Sequence, residues 1–214
     1  MGTENPPSLY EETLTARVRS VLRQVAPLAH QQGFYLAGGT AVALYLGHRR
    51  SIDLDWFRQE PLNDPLQLGQ WLIERGIPTD SFRIAKGTLY LQVSGVKVGF
   101  FEYRYPLLRP LFYWQDYCCT LASLEDLACM KLLAIAQRGA KRDFVGIYAI
   151  SSVMPLSEMV ELYKQKYGVS DIAHLLRALI YFDDADRECM PSLRWSLRWS
   201  QVKSTLTNAV KQLT

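Results

Sequence analysis

Hydrophobic and polar positions repeat along the chain with two different periods, and these periods predict its first helices and strands. Apolar residues at 11–32 fall at helical spacing and predict an amphipathic helix that backs a sheet, which Pro27 bends or ends early. The apolar run 34–37 predicts a strand, and residues 41–46 predict a helix. Alternating polar and large apolar residues at 51–57 then predict a half-buried strand.

The middle of the chain predicts three further strands joined by tight turns. After a loop and a short helix, three runs alternate between apolar and polar residues, at 82–85, 88–93 and 96–103. The connections Lys86-Gly87 and Ser94-Gly95 are two residues long and contain glycine, which is typical of hairpins. We therefore expect an α+β fold with a sheet of about five strands.

Helical spacing dominates the rest of the chain. Ser123 is placed to cap a helix at 124–138, with Asp126 at the spacing of a capping box. Further helical patterns lie at 141–151, 156–167, 171–182 and 199–213, and a loop is expected at 183–191. These patterns predict two domains, an α/β domain over residues 1–120 and a helical domain over residues 121–214.

Composition narrows the class of protein only a little. The 214 residues carry 49% hydrophobic side chains, enough for a buried core, and a net charge of +3, which permits contact with nucleic acid without arguing for it. The first seven residues lack the features of a signal peptide, and no apolar run reaches membrane-spanning length. We expect a cytoplasmic protein without membrane contact. The four cysteines show no zinc-ligand spacing and are predicted to be buried or half-buried thiols.

Two aspartates on one strand are the clearest sign of chemistry. Strand alternation directs Asp53 and Asp55 to the same face, where their like charges repel unless a cation, usually divalent, lies between them. Upstream, Gly38-Gly39-Thr40 follows a predicted strand and begins a helix, so that backbone N–H groups are free to hold a phosphate.

Simpler explanations exist for both motifs. The glycine pair could be a plain turn, and the aspartates could lie on an exposed strand edge with alternating charge. Bulky residues surround the aspartates, however, and favour an interior strand over an exposed edge. These residues are Ile52, Leu54, Trp56 and Phe57.

The order of these motifs resembles a known family. Gly38-Gly39-Thr40, a helix and then His48-Arg49-Arg50-Ser51-Ile52-Asp53-Leu54-Asp55 are similar to the GG(S/T)…hR-S-x-D-x-D signature of polymerase β-type nucleotidyltransferases. A second block, with Lys131, Arg142 and Asp143, resembles the helical Lys…Arg…Asp motif of the AbiEii/AbiGii toxin branch. The likeness covers roughly residues 34–150. It implies a polymerase β-like nucleotidyltransferase fold, with a mixed sheet followed by a helical C-terminal part.

The resemblance also implies an activity. Such an enzyme uses Mg²⁺ or Mn²⁺ to move a nucleoside monophosphate from an NTP to an RNA (a tRNA), a protein or a small molecule. It would be the toxin of a toxin–antitoxin or phage-defence system, with a cognate antitoxin as its partner. Asp53 and Asp55 are the expected catalytic residues and metal ligands. The expected nucleotide-binding residues are Gly38, Gly39, Thr40, Arg50, Ser51, Lys131, Arg142 and Asp143.

Several positions leave alternatives open. The superfamily commonly takes a third carboxylate from a neighbouring strand, where this chain has Gly99 and only Glu102 nearby as a further metal ligand. Arg142 and Asp143 could instead form a solvated, salt-bridged helix end. A second hypothesis is therefore a catalytically reduced relative that binds a nucleotide or a partner protein through the same cleft.

Overall fold

One mixed sheet forms the centre of the molecule in the computed structural model, which describes residues 8–213. The strands run in the order β3-β4-β5-β2-β1-β7-β6, with the neighbours β2/β5 and β1/β7 parallel and the other neighbours antiparallel. Their bounds are Tyr35–Ala37 (β1), Asp53–Arg58 (β2), Thr79–Ala85 (β3), Thr88–Val93 (β4), Val96–Glu102 (β5), Phe112–Trp114 (β6) and Cys119–Leu121 (β7).

Helices cover both faces of this sheet. Their bounds are Ala16–Gln31 (α1), Gly38–Leu46 (α2), Pro65–Glu74 (α3), Leu124–Arg138 (α4), Lys141–Ile150 (α5), Leu156–Tyr167 (α6), Ala173–Leu179 (α7), Asp183–Asp186 (α8) and Trp199–Lys211 (α9). The Ser123 hydroxyl accepts a hydrogen bond from Asp126 N at 3.0 Å, so the predicted cap of α4 is present. No helix within residues 8–213 is long and apolar enough to cross a membrane.

The α+β prediction is confirmed, whereas the expected strand count is too low. Seven strands pair within the described residues, because β6 and β7 form a hairpin that extends the sheet beyond β1. Strands β6 and β7 have three residues each, too few to show an alternating pattern in the sequence. Helix α1 continues through Pro27 to Gln31 without ending early, and α8 is a short helix where a loop was expected. Residues 1–7, which were judged for a signal peptide, lie outside the described residues.

Two apolar layers enclose the sheet and fix which face carries the aspartates. Leu54 and Trp56 on β2 are buried in the layer formed with α1 and α3. Alternation along the strand sends Asp53 and Asp55 to the opposite face, toward α2, α4 and α5. The helices that follow Leu124 pack directly on this second face, with Phe144 in their core. The proposed boundary at residue 120 stays a prediction.

Candidate active site

The aspartates of β2 face an open cleft of about 600 Å³ between the sheet and the helical half. The Asp53 side chain is 33% exposed, and Asp55 is half-buried beside it. Burial raises the pKa of Asp55 above its usual value, and the neighbouring Asp53 charge raises it further. This pair is therefore held together at an electrostatic cost that a bound cation would relieve.

The glycine pair at the start of α2 brings backbone close to these carboxylates. Gly38 has φ +67°, and a Cβ atom there would lie 2.6 Å from Asp55 Oδ2. A Cβ atom at Gly39 would overlap Arg49 Nη2. The positive backbone angle and the nearby Asp55 side chain favour glycine at Gly38, whereas a side chain at Gly39 would displace the guanidinium of Arg49. The helix therefore begins against Asp55, with its first N–H groups beside the cleft.

The hydroxyls of Thr40 and Ser51 have partners within the protein. Thr40 Oγ1 donates a hydrogen bond to the backbone oxygen of Asp53 and lies 2.7 Å from Ser51 Oγ. Both residues are buried. These contacts tie the start of α2 to the start of β2 and thereby help to place Asp53. The expected contact of Thr40 and Ser51 with a nucleotide stays a prediction.

Three cationic side chains reach the cleft from α4 and α5. Asp143 accepts hydrogen bonds from Lys131 Nζ at 2.7 Å and from Arg138 Nε at 2.9 Å. Burial by itself would raise the pKa of Asp143, but these two cations hold it below its usual value. Arg142 Nη1 lies 3.9 Å from Asp53 Oδ2. Asp143 is thus already committed to Lys131 and Arg138, and Arg142 approaches the aspartate pair.

Arg49, which sequence analysis did not select, lies deeper in the site than Arg50. Arg49 is buried and its Nη1 donates to the backbone oxygen of Arg50 at 2.8 Å, whereas the side chain of Arg50 is exposed at the cleft rim. Burial lowers the pKa of Arg49, and the charge of Arg142 lowers it further. The alternation that places Asp53 and Ser51 on one face also includes Arg49, and this spacing could have identified it.

The structure does not bring Glu102 to the aspartates, so its expected place as a third metal ligand is corrected. In the β2/β5 ladder Gly99 pairs with Asp55, and Glu102 pairs with Arg58. The Glu102 carboxylate accepts from Leu62 N at 2.9 Å and from Arg104 Nε at 2.5 Å. Within residues 8–213, no three carboxylate, histidine or cysteine side chains are grouped so that they could hold a metal ion.

An aromatic wall, formed by Phe57, Tyr90, Phe101 and Tyr103, lines the cleft beyond Asp55. Phe57 and Phe101 stack with 4.9 Å between ring centroids, and Tyr90 meets Phe101 edge to face at 5.4 Å. The ring of Phe101 lies over Gly99 so closely that a Cβ atom there would be 2.5 Å from it. Gly99 therefore provides room for an aromatic ring next to the aspartate pair.

A strap, residues 191–195, closes the other side of the site. Ser192 O accepts from Arg50 N at 2.8 Å, His48 O accepts from Arg194 N at 2.9 Å, and Leu193 forms a β-bridge with Arg49. The imidazole of His48 is buried near this strap, and neither ring nitrogen has a hydrogen-bond partner among residues 8–213. Burial lowers the pKa of His48 to about 3, assisted by the charges of Arg49 and Lys131. The strap thus holds the segment that carries Arg49.

Comparison with known proteins identifies the family of this chain. The model of the nucleotidyl transferase AbiEii toxin family, a type IV toxin–antitoxin system, matches residues 20–212. The uncharacterized protein aq_aa25 of Aquifex aeolicus (strain VF5) is 34% identical over 206 residues, which are 91% of this chain and 94% of that protein.

Solved structures show the same fold at low sequence identity. JHP933 from Helicobacter pylori is similar with a TM-score of 0.56 and 16% identity, over 96% of this chain and 93% of that one. MenT4, a nucleotidyltransferase toxin from Mycobacterium tuberculosis, has a TM-score of 0.52 and 14% identity, over 92% of this chain and 83% of its own. The expected nucleotidyltransferase fold is therefore confirmed. Since the family model spans nearly the whole chain, this protein belongs to the AbiEii family of nucleotidyltransferase toxins.

Proposed function

We propose that this nucleotidyltransferase uses Mg²⁺ to transfer a nucleoside monophosphate from an NTP to an RNA end. The observation that carries the proposal is the contact between the carboxylate of Asp55 and the glycine turn at Gly38, because it places a carboxylate pair directly beside a helix N-terminus suited to phosphate. We further propose that the protein acts in the cytoplasm, where NTPs and RNA occur together.

The aspartate pair fits a magnesium ion. Mg²⁺ is commonly bound by one or two carboxylates together with substrate phosphates and water, so a complete set of protein ligands is not needed. Burial raises the pKa of Asp55, and the neighbouring Asp53 charge raises it further, so a divalent ion bound between the two carboxylates would stabilise their charged forms. Asp53 and Asp55 would hold the metal, which when bound supplies charge stabilisation at the reacting phosphate.

The cationic side chains are suited to bind the triphosphate. Arg142 lies 3.9 Å from Asp53, and Arg49 lies against Gly39, so both are next to the expected position of the phosphates. In the transfer, an acceptor hydroxyl oxygen bonds to the α-phosphorus while the bond to the β-phosphate oxygen breaks and pyrophosphate leaves. The hydroxyl proton passes to the aspartate pair and from there to water. The cations stabilise the charge of the departing pyrophosphate.

An RNA acceptor is the proposal that the cleft supports best. Arg50 and Lys97 lie exposed at the cleft, and Arg142 is 52% exposed there, so a polyanion meets several cations. Protein and small-molecule acceptors are the other outcomes to be tested. We also propose that a cognate antitoxin binds this protein, since the family is described as part of a toxin–antitoxin system.

A second candidate is a relative that binds nucleotides but transfers them slowly or not at all. Gly99 stands opposite Asp55 where a neighbouring strand could have supplied a carboxylate, and Asp143 is occupied by two cations. With two carboxylates available, metal affinity would be lower than in a site with three.

Transfer of labelled nucleotide distinguishes the two candidates. The protein is incubated with each NTP labelled at the α-phosphate, Mg²⁺, and either total cellular RNA or lysate protein. We expect label in RNA, lost on addition of a chelator and in Asp53→Asn and Asp55→Asn, but kept in Asp116→Asn, which changes an exposed carboxylate outside the cleft. Nucleotide binding without transfer to any acceptor would instead support the second candidate.

A further inference from the structure

The aromatic wall is the part of the cleft that metal and triphosphate binding leave unexplained. Tyr90 is 39% exposed and Phe101 is half-buried, so their rings face the open cleft. Phe57 is half-buried as well, and it lines the cleft on one side while it packs against the apolar layer of the helical half on the other. Their stacked and edge-to-face contacts fix the rings relative to one another. Tyr103, directly after the end of β5, is held in turn by a hydrogen bond to Tyr167, with 2.5 Å between the two hydroxyl oxygens.

Gly99 links this wall to the reacting groups. Its missing side chain lets the Phe101 ring lie over the strand, and the same Cβ position would be 3.4 Å from Asp55 Oδ1. The Phe101 ring and the Asp55 carboxylate therefore lie on either side of Gly99, close to each other. A flat apolar surface at this distance from a metal-binding carboxylate is suited to a planar group attached close to the reacting atom.

The two sides of the aspartate pair differ in chemistry. Arg142 approaches Asp53 at the start of β2, whereas Phe57 lies two residues beyond Asp55 on the same face. In an in-line displacement the attacking oxygen and the leaving pyrophosphate lie on opposite sides of the phosphorus. If the pyrophosphate leaves toward the cations, the acceptor arrives from the side of the rings.

Cations accompany the rings, as a nucleic-acid strand requires. The guanidinium of Arg83 lies 5.0 Å from the centroid of the Tyr90 ring, and Lys97, which pairs with Asp53 across the β2/β5 ladder, lines the same cleft at the end away from the rings. Aromatic rings interleaved with basic side chains are the usual means of binding single-stranded nucleic acid, with bases stacked and phosphates neutralised. A peptide acceptor would not need this combination.

We propose that Phe57, Tyr90 and Phe101 form a stacking subsite for an unpaired base of the acceptor RNA. Lys97 and Arg83 bind its backbone, and the stacked base places a nearby ribose hydroxyl at Asp53 and Asp55. Unpaired bases expose the faces that stack on such rings, whereas bases within a duplex do not. The proposal deepens the proposed function by assigning the acceptor side of the cleft.

Binding of an oligonucleotide tests this subsite independently of transfer. A fluorescent single-stranded oligoribonucleotide is titrated with the whole protein without NTP or metal, and NTP affinity is measured separately. We expect Phe101→Leu to weaken oligonucleotide binding about tenfold, the usual scale for loss of one stacking contact. Phe101→Trp should keep most of the affinity, and NTP affinity should not change in either variant.

Two further variants control for folding and for general loss of aromatic surface. Tyr90→Leu should also weaken oligonucleotide binding. Because the Tyr90 ring is more exposed, this variant tests the subsite even if Phe101→Leu folds poorly. Tyr113→Leu changes a ring that is 50% exposed on β6 and should bind as the wild type does. The subsite is overturned if Phe101→Leu and Tyr90→Leu bind the oligonucleotide normally, if they lose NTP affinity instead, or if a blunt duplex binds as tightly as the single strand.

Failure of the subsite and failure of the proposed function give different results. Tight single-strand binding that depends on Phe101, without transfer to any acceptor, keeps the subsite and contradicts the proposed function. The opposite outcome is transfer to RNA with the same KM for the acceptor in the wild type, Phe101→Leu and Tyr90→Leu. That result supports the proposed function and contradicts the subsite.

Discussion

Lys131 Nζ and Asp143 Oδ1 lie 2.7 Å apart in a buried ion pair that joins α4 to α5. Gly146, one turn further along α5, leaves space for the Lys131 stem, since a Cβ atom there would be 3.4 Å from Lys131 Cδ. The pair therefore does two things at once. It fixes a cation from the helical half beside the cleft, and it engages a carboxylate that could otherwise have joined the aspartate pair.

Asp143→Asn should destabilise the protein strongly. The substitution leaves Lys131 buried without its counter-charge, and breaking a buried pair in this way costs about 3–5 kcal/mol. Urea unfolding at neutral pH measures the change, with Asp184→Asn, on the exposed surface of α8, as the control. A loss below about 1 kcal/mol would mean that the buried pair is not the main contribution of Asp143.

Arg49→Lys should impair NTP binding more than Arg50→Lys. Arg49 is buried against Gly39, where a planar guanidinium fits and a lysine ammonium does not replace its several donors, whereas Arg50 is exposed. We expect at least about a tenfold loss of NTP affinity for Arg49→Lys, since each charge-assisted hydrogen bond is worth about 1.5–3 kcal/mol. Calorimetric titration of both variants decides the order. A larger loss of NTP affinity in Arg50→Lys would instead favour Arg50, the residue that the sequence motif predicts.

His48 should make the protein less stable in mild acid. Its pKa is lowered to about 3 in the folded state by burial, while an imidazole in the unfolded chain titrates near 6.5. The unfolded state therefore binds the additional proton, so the stability present above pH ~6.5 falls as the pH decreases, by about 2 kcal/mol at pH 5. His48→Phe should lose this decrease and His174→Phe, on the surface, should keep it. Equal pH dependence of the wild type and His48→Phe would contradict the prediction.

Magnesium should stabilise the wild type and not Asp55→Asn. At a metal concentration of ten times Kd, linkage adds about 1.4 kcal/mol, which corresponds to a rise in Tm of about 3–6 °C. The metal-free Asp55→Asn protein should unfold at a higher temperature than the metal-free wild type, because a neutral side chain replaces a carboxylate whose pKa is raised. Thermal unfolding with and without Mg²⁺ measures both effects. An equal response to Mg²⁺ in the two proteins would place the metal elsewhere.

Gly99→Ala should displace the Phe101 ring and weaken acceptor binding. A Cβ atom there would lie 2.5 Å from the ring, so the ring must leave its contacts with Phe57 and Tyr90, at about 1–3 kcal/mol in stability. The double variant Gly99→Ala/Phe101→Leu should bind the oligonucleotide no worse than Phe101→Leu alone, because the two changes act on one contact. Additive losses would show that Gly99 acts independently of the ring.

Local spacing along the chain was enough to predict the aspartate pair and the glycine turn. The period of a strand places Asp53 and Asp55 on one face, and a glycine pair between a strand and a helix specifies a tight approach of the backbone. Lys131 was implied by the resemblance of the block that holds Lys131, Arg142 and Asp143 to the helical motif of the family. Each of these inferences needs only residues that are close together in sequence.

Features that depend on distant segments were not predicted. The position of Glu102 depends on the register between β2 and β5, which sets Gly99 and not Glu102 opposite Asp55. Arg49 is buried partly because Leu193 pairs with it across the strap, and no local pattern records this contact. The short strands β6 and β7 exist because β1 offers an edge to pair with, and three residues of their own do not specify it.

The contact between Arg49 and the strap sets the order in which the site is completed during synthesis. Some 140 residues separate Arg49 from Leu193, so the aspartates and glycines leave the ribosome long before the segment that holds this arginine in place. A nascent chain that has not yet made the strap therefore carries the aspartates and glycines without the contact that fixes Arg49. The cleft reaches its final arrangement only after residues 191–195 have been synthesised and have docked.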